Sequence, residues 1–255
     1  MKFQLDMMRD IKSEEISEMT SIIEKIGIRK SPINNIMETL TDKINIISEL
    51  KHSSPSAGNL SGELNDRDII QSYITGGASA VSVLTEKVYF NGSYDHLQSV
   101  SSYCDKPVLC KDFVYFEKQI EAAYLCGADM VLLISRILEE ITLKRLYDKI
   151  KSFGMTPLVE IHEEKEIENI LFLKPDIVLV NMRNLETLEM NTRTGINTLR
   201  KLPSPITAIS ASGINSKDDI AYIMNETGTN NFLIGSSLMK SGDPEKMIRE
   251  FKNVY

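Results

Sequence analysis

The segment "SELKHSSPS", residues 48–56, brings charged residues directly after a largely apolar run, Ile44 to Ile47. In a strand, residues two apart share a face, so Glu49 and Lys51 point the same way as Ile47, from a packed interior towards a place that tolerates charge. A carboxylate and an ammonium group held together can act as a general base and a general acid. This pair therefore predicts a reactive pocket where the run ends.

Further apolar runs end in the same way. Lys111 has the parity of Leu109, and Glu49 and Glu160 are suited to balance Lys51 and Lys111, so that the cost of burying charge is offset by pairing. Any one charge at such a place is normally a loop anchor, but the accumulation favours chemistry. The residues at these ends are Glu49, Lys51, Ser54, Glu86, Lys111, Asp112, Phe113, Ser135, Arg136, Glu160, His162, Asn181, Arg183, Ser210, Ser212, Gly235 and Ser236.

Two late segments predict a phosphate site. They read "SASGIN" and "LIGSSLM", and "GDPEKM" opens the last helix. Small residues let a backbone approach a ligand closely, and free amide groups after two neighbouring strands are suited to bind phosphate. Gly213, Gly235 and Ser236 are the expected donors.

Strands and helices alternate along the chain. Helical stretches include Glu117 to Cys126, closed by Gly127, and Glu139 to Phe153, closed by Gly154. Alternation demands parallel pairing with right-handed crossovers, and eight units at this length favour a closed (β/α)₈ TIM barrel, an α/β fold whose loops after the strands carry the chemistry. The predicted strands are Lys43 to Lys51, Ser79 to Glu86, Pro107 to Phe113, Asp129 to Ser135, Pro157 to His162, Asp176 to Met182, Ile206 to Ser212 and Phe232 to Ser236.

The chain is predicted to form one domain, residues 1–255, in which an N-terminal helical extension, 1–42, precedes the barrel, 43–255. The spacing of Ile16, Met19, Ile23 and Ile26 predicts an amphipathic helix, and Ser31-Pro32 predicts the start of a second one. Pattern alone leaves open whether the extension seals the bottom of the barrel or covers its mouth.

Composition limits the classes of partner. Of 255 residues, 42% are apolar and 25% charged, and the net charge of −7 argues against a general nucleic-acid or anionic-membrane binder. No segment has the roughly 18 apolar residues that span a bilayer, and the N-terminus carries charges where a signal peptide needs an apolar core. We expect a cytoplasmic protein with a small-molecule partner, and a barrel of this kind can stand alone as a monomer.

The three cysteines, Cys104, Cys110 and Cys126, are odd in number and lack C-x-x-C spacing. The three histidines lie far apart along the sequence and are not clustered with them. We therefore expect free thiols and no structural metal.

The motifs resemble those of the indole-3-glycerol-phosphate synthase family of tryptophan biosynthesis. The matching stretches, in family order, are "IISELKHSSPS", "VSVLTEKVYFNGSYDHL", "PVLCKDF", "GADMVLLI", "GMTPLVEIHEEKE", "VNMRNLET", "SGI" and "FLIGSSLM". The resemblance covers residues 46 to 239. It implies a carboxy-lyase without a cofactor that closes and decarboxylates 1-(2-carboxyphenylamino)-1-deoxyribulose 5-phosphate, giving indole-3-glycerol phosphate, carbon dioxide and water.

The resemblance also implies roles for individual residues. Lys111 is the expected acid on the substrate ketone, and Lys51 is its partner or the acid of the second step. Glu49 is expected to orient Lys51, and Glu160 is the expected base or proton shuttle. The expected substrate contacts are Asn181 with the hydroxyls or the leaving oxygen, Arg183 with the anthranilate carboxylate, and Ser54, Gly213, Gly235 and Ser236 with the phosphate; Phe113 and Ser212 complete the binding residues.

One position departs from the family pattern. The family reads S-E-S-G after the seventh strand, whereas this chain has Ala211 in "SASG", with the parity of Thr207 and Ile209. Either Glu160 suffices or the chemistry is altered. Ala211 is the only support for one alternative, a barrel that binds a sugar phosphate, or a partner protein, without turning it over. A separate alternative is another phosphate-binding barrel such as phosphoribosylanthranilate isomerase or the tryptophan synthase α subunit, but such enzymes do not need two inward lysines.

Overall fold

Eight parallel strands close into a barrel in the computed structural model, which describes residues 4–55, 58–59 and 65–254. Each strand pairs with its neighbours in the sequence, and the first strand pairs with both the second and the last. The (β/α)₈ prediction is confirmed. The strands are β1 (Asn45–Leu50), β2 (Ala80–Leu84), β3 (Val108–Lys111), β4 (Met130–Ile134), β5 (Thr156–Ile161), β6 (Ile177–Asn181), β7 (Thr207–Ala211) and β8 (Asn231–Ile234).

Alternation along the strands separates two sets of buried side chains. Ile47 and Leu109 belong to the set inside the barrel, whereas Ile46 and Cys110 belong to the set between barrel and helices. A parallel strand covered on both faces is apolar on both, which is why these runs are nearly continuous. The parity that places Ile47 and Leu109 inside also turns Glu49, Lys51 and Lys111 inward.

Helices follow the strands on the outside of the barrel. The helix predicted from 117 to 126 spans Glu117–Leu125 and that from 139 to 153 spans Glu140–Ser152, with Gly127 and Gly154 at positive φ just beyond them. The helices are α1 (Met8–Glu14), α2 (Ile16–Ile26), α3 (Asp66–Gly76), α4 (Tyr94–Ser101), α5 (Glu117–Leu125), α6 (Glu140–Ser152), α7 (Glu168–Leu171), α8 (Thr192–Lys201), α9 (Lys217–Thr227), α10 (Ser236–Lys240) and α11 (Pro244–Lys252).

The prediction of a helix starting at Ser31-Pro32 is wrong. Residues 31–35 are irregular, and a 3₁₀ turn, Ile36–Glu38, follows. The Arg29 guanidinium donates to the carbonyl oxygens of Ser31 and Pro32, at 2.8 and 3.0 Å, and thereby holds this segment in a non-helical path. Arg29 itself is bound by Asp129, 100 residues further along the chain, so a long-range partner overrides the local helix signal.

The N-terminal extension reaches both ends of the barrel. Lys12 of α1 contacts Asp112, which directly follows β3 at the mouth. Arg29 and the Asn34 amide both bind Asp129, which precedes β4 at the opposite end. The extension is therefore neither a bottom seal nor a mouth cover alone, because it runs from one end to the other.

The extension also shares the barrel's buried clusters. Met8 and Ile36 belong to the interior cluster, and Met19 of α2 belongs to the outer one. We propose on this basis that extension and barrel form one domain; residues 1–3, 56–57, 60–64 and 255 of that domain lie outside the described residues. No helix in the described part of the chain is long and apolar enough to cross a bilayer.

Candidate active site

A pocket at the mouth of the barrel gathers the charged ends of the strands. Its walls come from residues that end β1, β3, β5, β6, β7 and β8 and from the loops that follow. The sequence-predicted residues among them are Glu49, Lys51, Ser54, Lys111, Phe113, Glu160, Asn181, Arg183, Ser212, Gly213, Gly235 and Ser236. The structure thus brings into one cavity every residue to which the family resemblance gives a role, but not all of the strand-end residues.

Glu49 lies between the two lysines. Its Oε1 is 2.8 Å from the Nζ of Lys51, and its Oε2 is 3.3 Å from the Nζ of Lys111. Burial alone would raise the pKa of Glu49, but Lys111 and Lys51 together lower it to about 2. Glu49 is therefore ionised and fixes both ammonium groups.

Lys111 is a cation in this setting. Burial would lower the pKa of its ammonium group, yet Glu49 and then Glu160 raise that pKa above its ordinary value of 10.5. A protonated lysine facing a pocket is able to donate a proton to a bound oxygen. Lys111 is thus equipped as an acid.

Glu160 is 1% exposed and has one engaged and one unengaged oxygen. Its Oε1 accepts from Asn181 Nδ2 at 3.1 Å and lies 3.3 Å from His162 Nε2. Its Oε2 has no hydrogen-bond partner among the described residues. Although burial raises its pKa, the contacts with His162, Lys111 and Asn181 lower it below the ordinary value, so the carboxylate is ionised.

His162 supports Glu160 from behind the pocket. Its ring is buried between Glu160 and Glu166, with Nδ1 3.9 Å from Glu166 Oε2. Burial would lower the pKa of the imidazole, but the two carboxylates raise it to about 9. The sequence shows His162 at a strand end, but its support of Glu160 depends on the folded contacts.

Asn181 connects Glu160 with the loops after β6 and β7. Its Oδ1 accepts from Ser212 Oγ at 2.8 Å and from the Arg183 amide at 3.1 Å. Arg183 in turn donates from Nη1 to the Leu188 carbonyl at 2.8 Å. These bonds orient the guanidinium while it remains half-buried at the pocket.

Backbone conformation opens the side of the pocket after β7 and β8. Ser212 and Gly213 have φ values of +71° and +76°, a conformation that L side chains rarely adopt. A Cβ on Gly235 would lie 2.3 Å from Glu49 Oε1, so a side chain there would displace the Glu49 carboxylate. Ala211 is buried in the wall beside them, where its parity predicts it.

Other residues at the strand ends make contacts outside this pocket. Ser135 and Arg136 bind Glu166, and Arg136 also binds Glu163. Glu86 and Asp112 face the N-terminal helix. Sequence reasoning therefore predicts too large a set, because it cannot tell which side of a strand end a loop residue faces.

A histidine pair lies outside the pocket. His52 Nε2 is 2.8 Å from Asp66 Oδ1, and the rings of His52 and His96 are 4.7 Å apart. The ligand atoms of these three residues lie within 4.8 Å of one another, so this group, within the described residues, could hold a metal ion. The His52–Asp66 hydrogen bond accounts for the arrangement without one. The three cysteines are buried free thiols.

Comparison with known proteins identifies relatives along nearly the whole chain. The family model described as indole-3-glycerol phosphate synthase matches residues 5–251. A protein of that name from a Nocardioides species is 39% identical to this chain over 82% of this chain and 80% of its own length. One from an Exiguobacterium species is 35% identical over 94% of this chain and 93% of its own length. One from Sulfurisphaera tokodaii is 38% identical over 88% of this chain and 94% of its own.

Solved structures share the barrel at low sequence identity. The crystal structure of 3-hexulose-6-phosphate synthase from Salmonella typhimurium has a TM-score of 0.66 at 14% identity and covers 83% of this chain and 98% of its own. That of KGPDC from Streptococcus mutans has a TM-score of 0.62 at 16% identity, with coverages of 83% and 96%. At this identity, the likeness concerns the fold alone.

Proposed function

The chain belongs to the indole-3-glycerol phosphate synthase family, and we propose how its own residues carry out the reaction of that family. The enzyme is a carboxy-lyase of tryptophan biosynthesis and acts on a phosphorylated small molecule. The substrate's aromatic carbon attacks its ketone, carbon dioxide is lost, and a hydroxyl then leaves as water. The ketone oxygen must gain a proton in the first step and the leaving hydroxyl must gain one in the last.

Lys111 donates the proton to the ketone oxygen. The observation that supports this role is that its ammonium group lies in the pocket 3.3 Å from Glu49, with its pKa raised above the ordinary value, so it is charged when substrate arrives. Glu49 also binds Lys51, which then stands ready near the substrate carboxylate or as the acid of the dehydration. The two lysines share one anchor, and each is positioned by it.

Glu160 takes a proton from the reacting intermediate. Its Oε2 has no hydrogen-bond partner in the described residues, whereas Oε1 is held by Asn181 and faces His162. One oxygen is thereby fixed and the other remains free to accept. Asn181 also holds the sugar hydroxyls or the leaving oxygen.

The two anionic ends of the substrate are bound by different groups of the pocket. Arg183 pairs with the anthranilate carboxylate, for which a planar guanidinium is well suited. The amides of Gly213, Gly235 and Ser236, together with Ser54 and Ser212, seat the phosphate. Phe113 lines the wall against the aromatic ring.

The alternative of a barrel that binds without turnover is not favoured. Ala211 was its basis, but Lys51, Lys111 and Glu160 all line the same pocket, and Glu49 fixes both lysines. The chain has no tryptophan, so formation of an indole can be followed by fluorescence without a tryptophan background.

Lys111→Met tests the assignment. It removes the acid and keeps an apolar stem of similar length, so turnover should vanish while substrate binding persists. A variant that retains the wild-type kcat shows that Lys111 is not the acid and moves that role to Lys51.

A further inference from the structure

Lys12 is a buried lysine of the N-terminal extension that the reaction above does not use. Its side chain is 1% exposed, and a lysine is almost never buried this fully unless it is paired. Its Nζ lies 2.8 Å from Asp112 Oδ1, 2.9 Å from Glu15 Oε2 and 3.9 Å from Glu86 Oε1. One ammonium group therefore faces three carboxylates.

Asp112 holds the segment that follows the proposed acid. It comes directly after Lys111, and its Oδ1 accepts from the backbone amide of Phe113 at 2.8 Å. Its other oxygen accepts from the hydroxyl of Thr85 at 3.0 Å. The carboxylate that Lys12 binds is thus the one that connects the ends of β2 and β3 beside the pocket.

Glu86 holds the neighbouring loop in a comparable way. Its carboxylate accepts from the amides of Val88, Tyr89 and Phe90 at 2.9, 2.7 and 3.1 Å. Phe90 lines the pocket together with Lys111 and Phe113. Both buried carboxylates at Lys12 therefore fix backbone that carries pocket residues.

Charge makes Lys12 necessary to this arrangement. Asp112 and Glu86 are buried, and without a cation they would lie close to each other and to Glu15 with little solvent to screen them. Buried carboxylates left unpaired either take up protons or move apart. Burial would lower the pKa of Lys12, yet Asp112, Glu15 and Glu86 together raise it above its ordinary value, so the cation is present throughout the physiological range.

We propose that Lys12 is a positioning residue for the reaction: by binding Asp112 and Glu86 it holds the ends of β2 and β3 together and so places Lys111, Phe113 and Phe90 for catalysis. The N-terminal extension is then part of the active-site architecture. This inference rests on the proposed role of Lys111.

The chain contains a matched control for this contact. Lys87 follows Glu86 in the same loop and pairs with Glu18 of α2 at 3.2 Å, so it too joins the extension to the barrel. Its side chain is 62% exposed, and exposed ion pairs contribute little. Lys87→Met therefore removes a cation at the same junction without stranding a buried carboxylate.

The test compares variants of the full chain by indole fluorescence. Lys12→Met should lower kcat at least about tenfold in protein whose circular dichroism matches the wild type, and Lys87→Met should stay within about twofold. Inhibition by inorganic phosphate should be unchanged in both, because the phosphate seat follows β7 and β8. Lys12→Arg keeps the charge and should be faster than Lys12→Met. A merely structural contact would not produce this selective loss of kcat.

A second variant keeps the test decisive if Lys12→Met does not fold. Lys12→Met combined with Asp112→Asn and Glu86→Gln leaves neither buried partner as an unpaired carboxylate, so it should fold and still be at least about tenfold slow. Either folded variant running at the wild-type kcat overturns the proposal. Lys111→Met is measured in the same experiment. If it is inactive while a folded Lys12 variant runs at the wild-type kcat, the Lys12 inference alone is overturned. If Lys111→Met is active, the role of Lys111 is overturned.

Discussion

Gly235 packs against the carboxylate that anchors both lysines. A Cβ at this position would lie 2.3 Å from Glu49 Oε1 and 3.0 Å from Glu49 Cβ. Gly235 has a negative φ of −125°, so it does not lie in the left-handed region that favours glycine. Gly235→Ala therefore tests the contact with Glu49 and not the conformation of the backbone.

The expected size of the effect follows from that distance. Ordinary contact begins at 3.4 Å, so the carboxylate oxygen has to retreat by about 1.1 Å. The same oxygen accepts the 2.8 Å bond from Lys51, which such a retreat breaks. A hydrogen bond between charged groups contributes about 1.5–3 kcal/mol, so kcat/KM should fall about 10- to 160-fold.

Initial rates of indole formation over a range of substrate concentrations measure this loss. Gly242→Ala is the control, because nothing described lies within 4 Å of a Cβ there, and it should match the wild type. If Gly235 did nothing but admit the phosphate, KM would rise while kcat stayed constant; displacement of Glu49 lowers kcat as well. A Gly235→Ala enzyme with wild-type kcat refutes the anchoring role of Glu49.

Three further predictions follow from the site. Glu160→Gln should bring kcat close to the uncatalysed rate, and the acidic limb of the wild-type pH profile should lie below the ordinary glutamate pKa of 4.5, because His162, Lys111 and Asn181 outweigh burial; an active variant contradicts the assignment. The pKa of His162 rises from 6.5 to about 9 on folding, so its stabilising effect is complete below pH 6.5 and is lost as the pH rises through 9. The difference in the free energy of unfolding between the wild type and His162→Gln, measured with urea, should therefore close over that pH range. Ala211→Glu should be slower than wild type in the indole assay, and a faster enzyme would mean that the wall has room for the missing carboxylate.

Strand-end parity predicted the pocket because barrel geometry leaves few choices. Once Ile47 and Leu109 face inward, Glu49, Lys51 and Lys111 must follow them to the mouth, and the structure places them there. Gly127 and Gly154, which predicted the C-terminal ends of two helices, were equally local signals. Features that depend on two or three neighbouring residues can be read from sequence in this way.

The extension was less predictable because its partners are distant. Arg29 binds Asp129 across 100 residues of sequence, and this contact removes the helix that Ser31-Pro32 suggests. Lys12 gives no local sign of its burial, since a lysine in an amphipathic helix normally faces solvent. Its partner Asp112 is likewise separated from it by the whole of the first two strand–helix units. Such pairings become visible only when the fold is known.

The charge of the pocket explains how the site functions with alanine at 211. Among the described residues that line it, cations outnumber carboxylates, and the substrate brings a phosphate and a carboxylate of its own. A further carboxylate at Ala211 would lie in the wall next to the proposed phosphate seat, where it would repel the ligand unless a lysine moved to meet it. Glu49 already holds both lysines, and Glu160, whose pKa His162 helps to lower, is the proposed acceptor. The groups left to balance one another and the substrate are Lys51, Lys111 and Arg183 against Glu49 and Glu160.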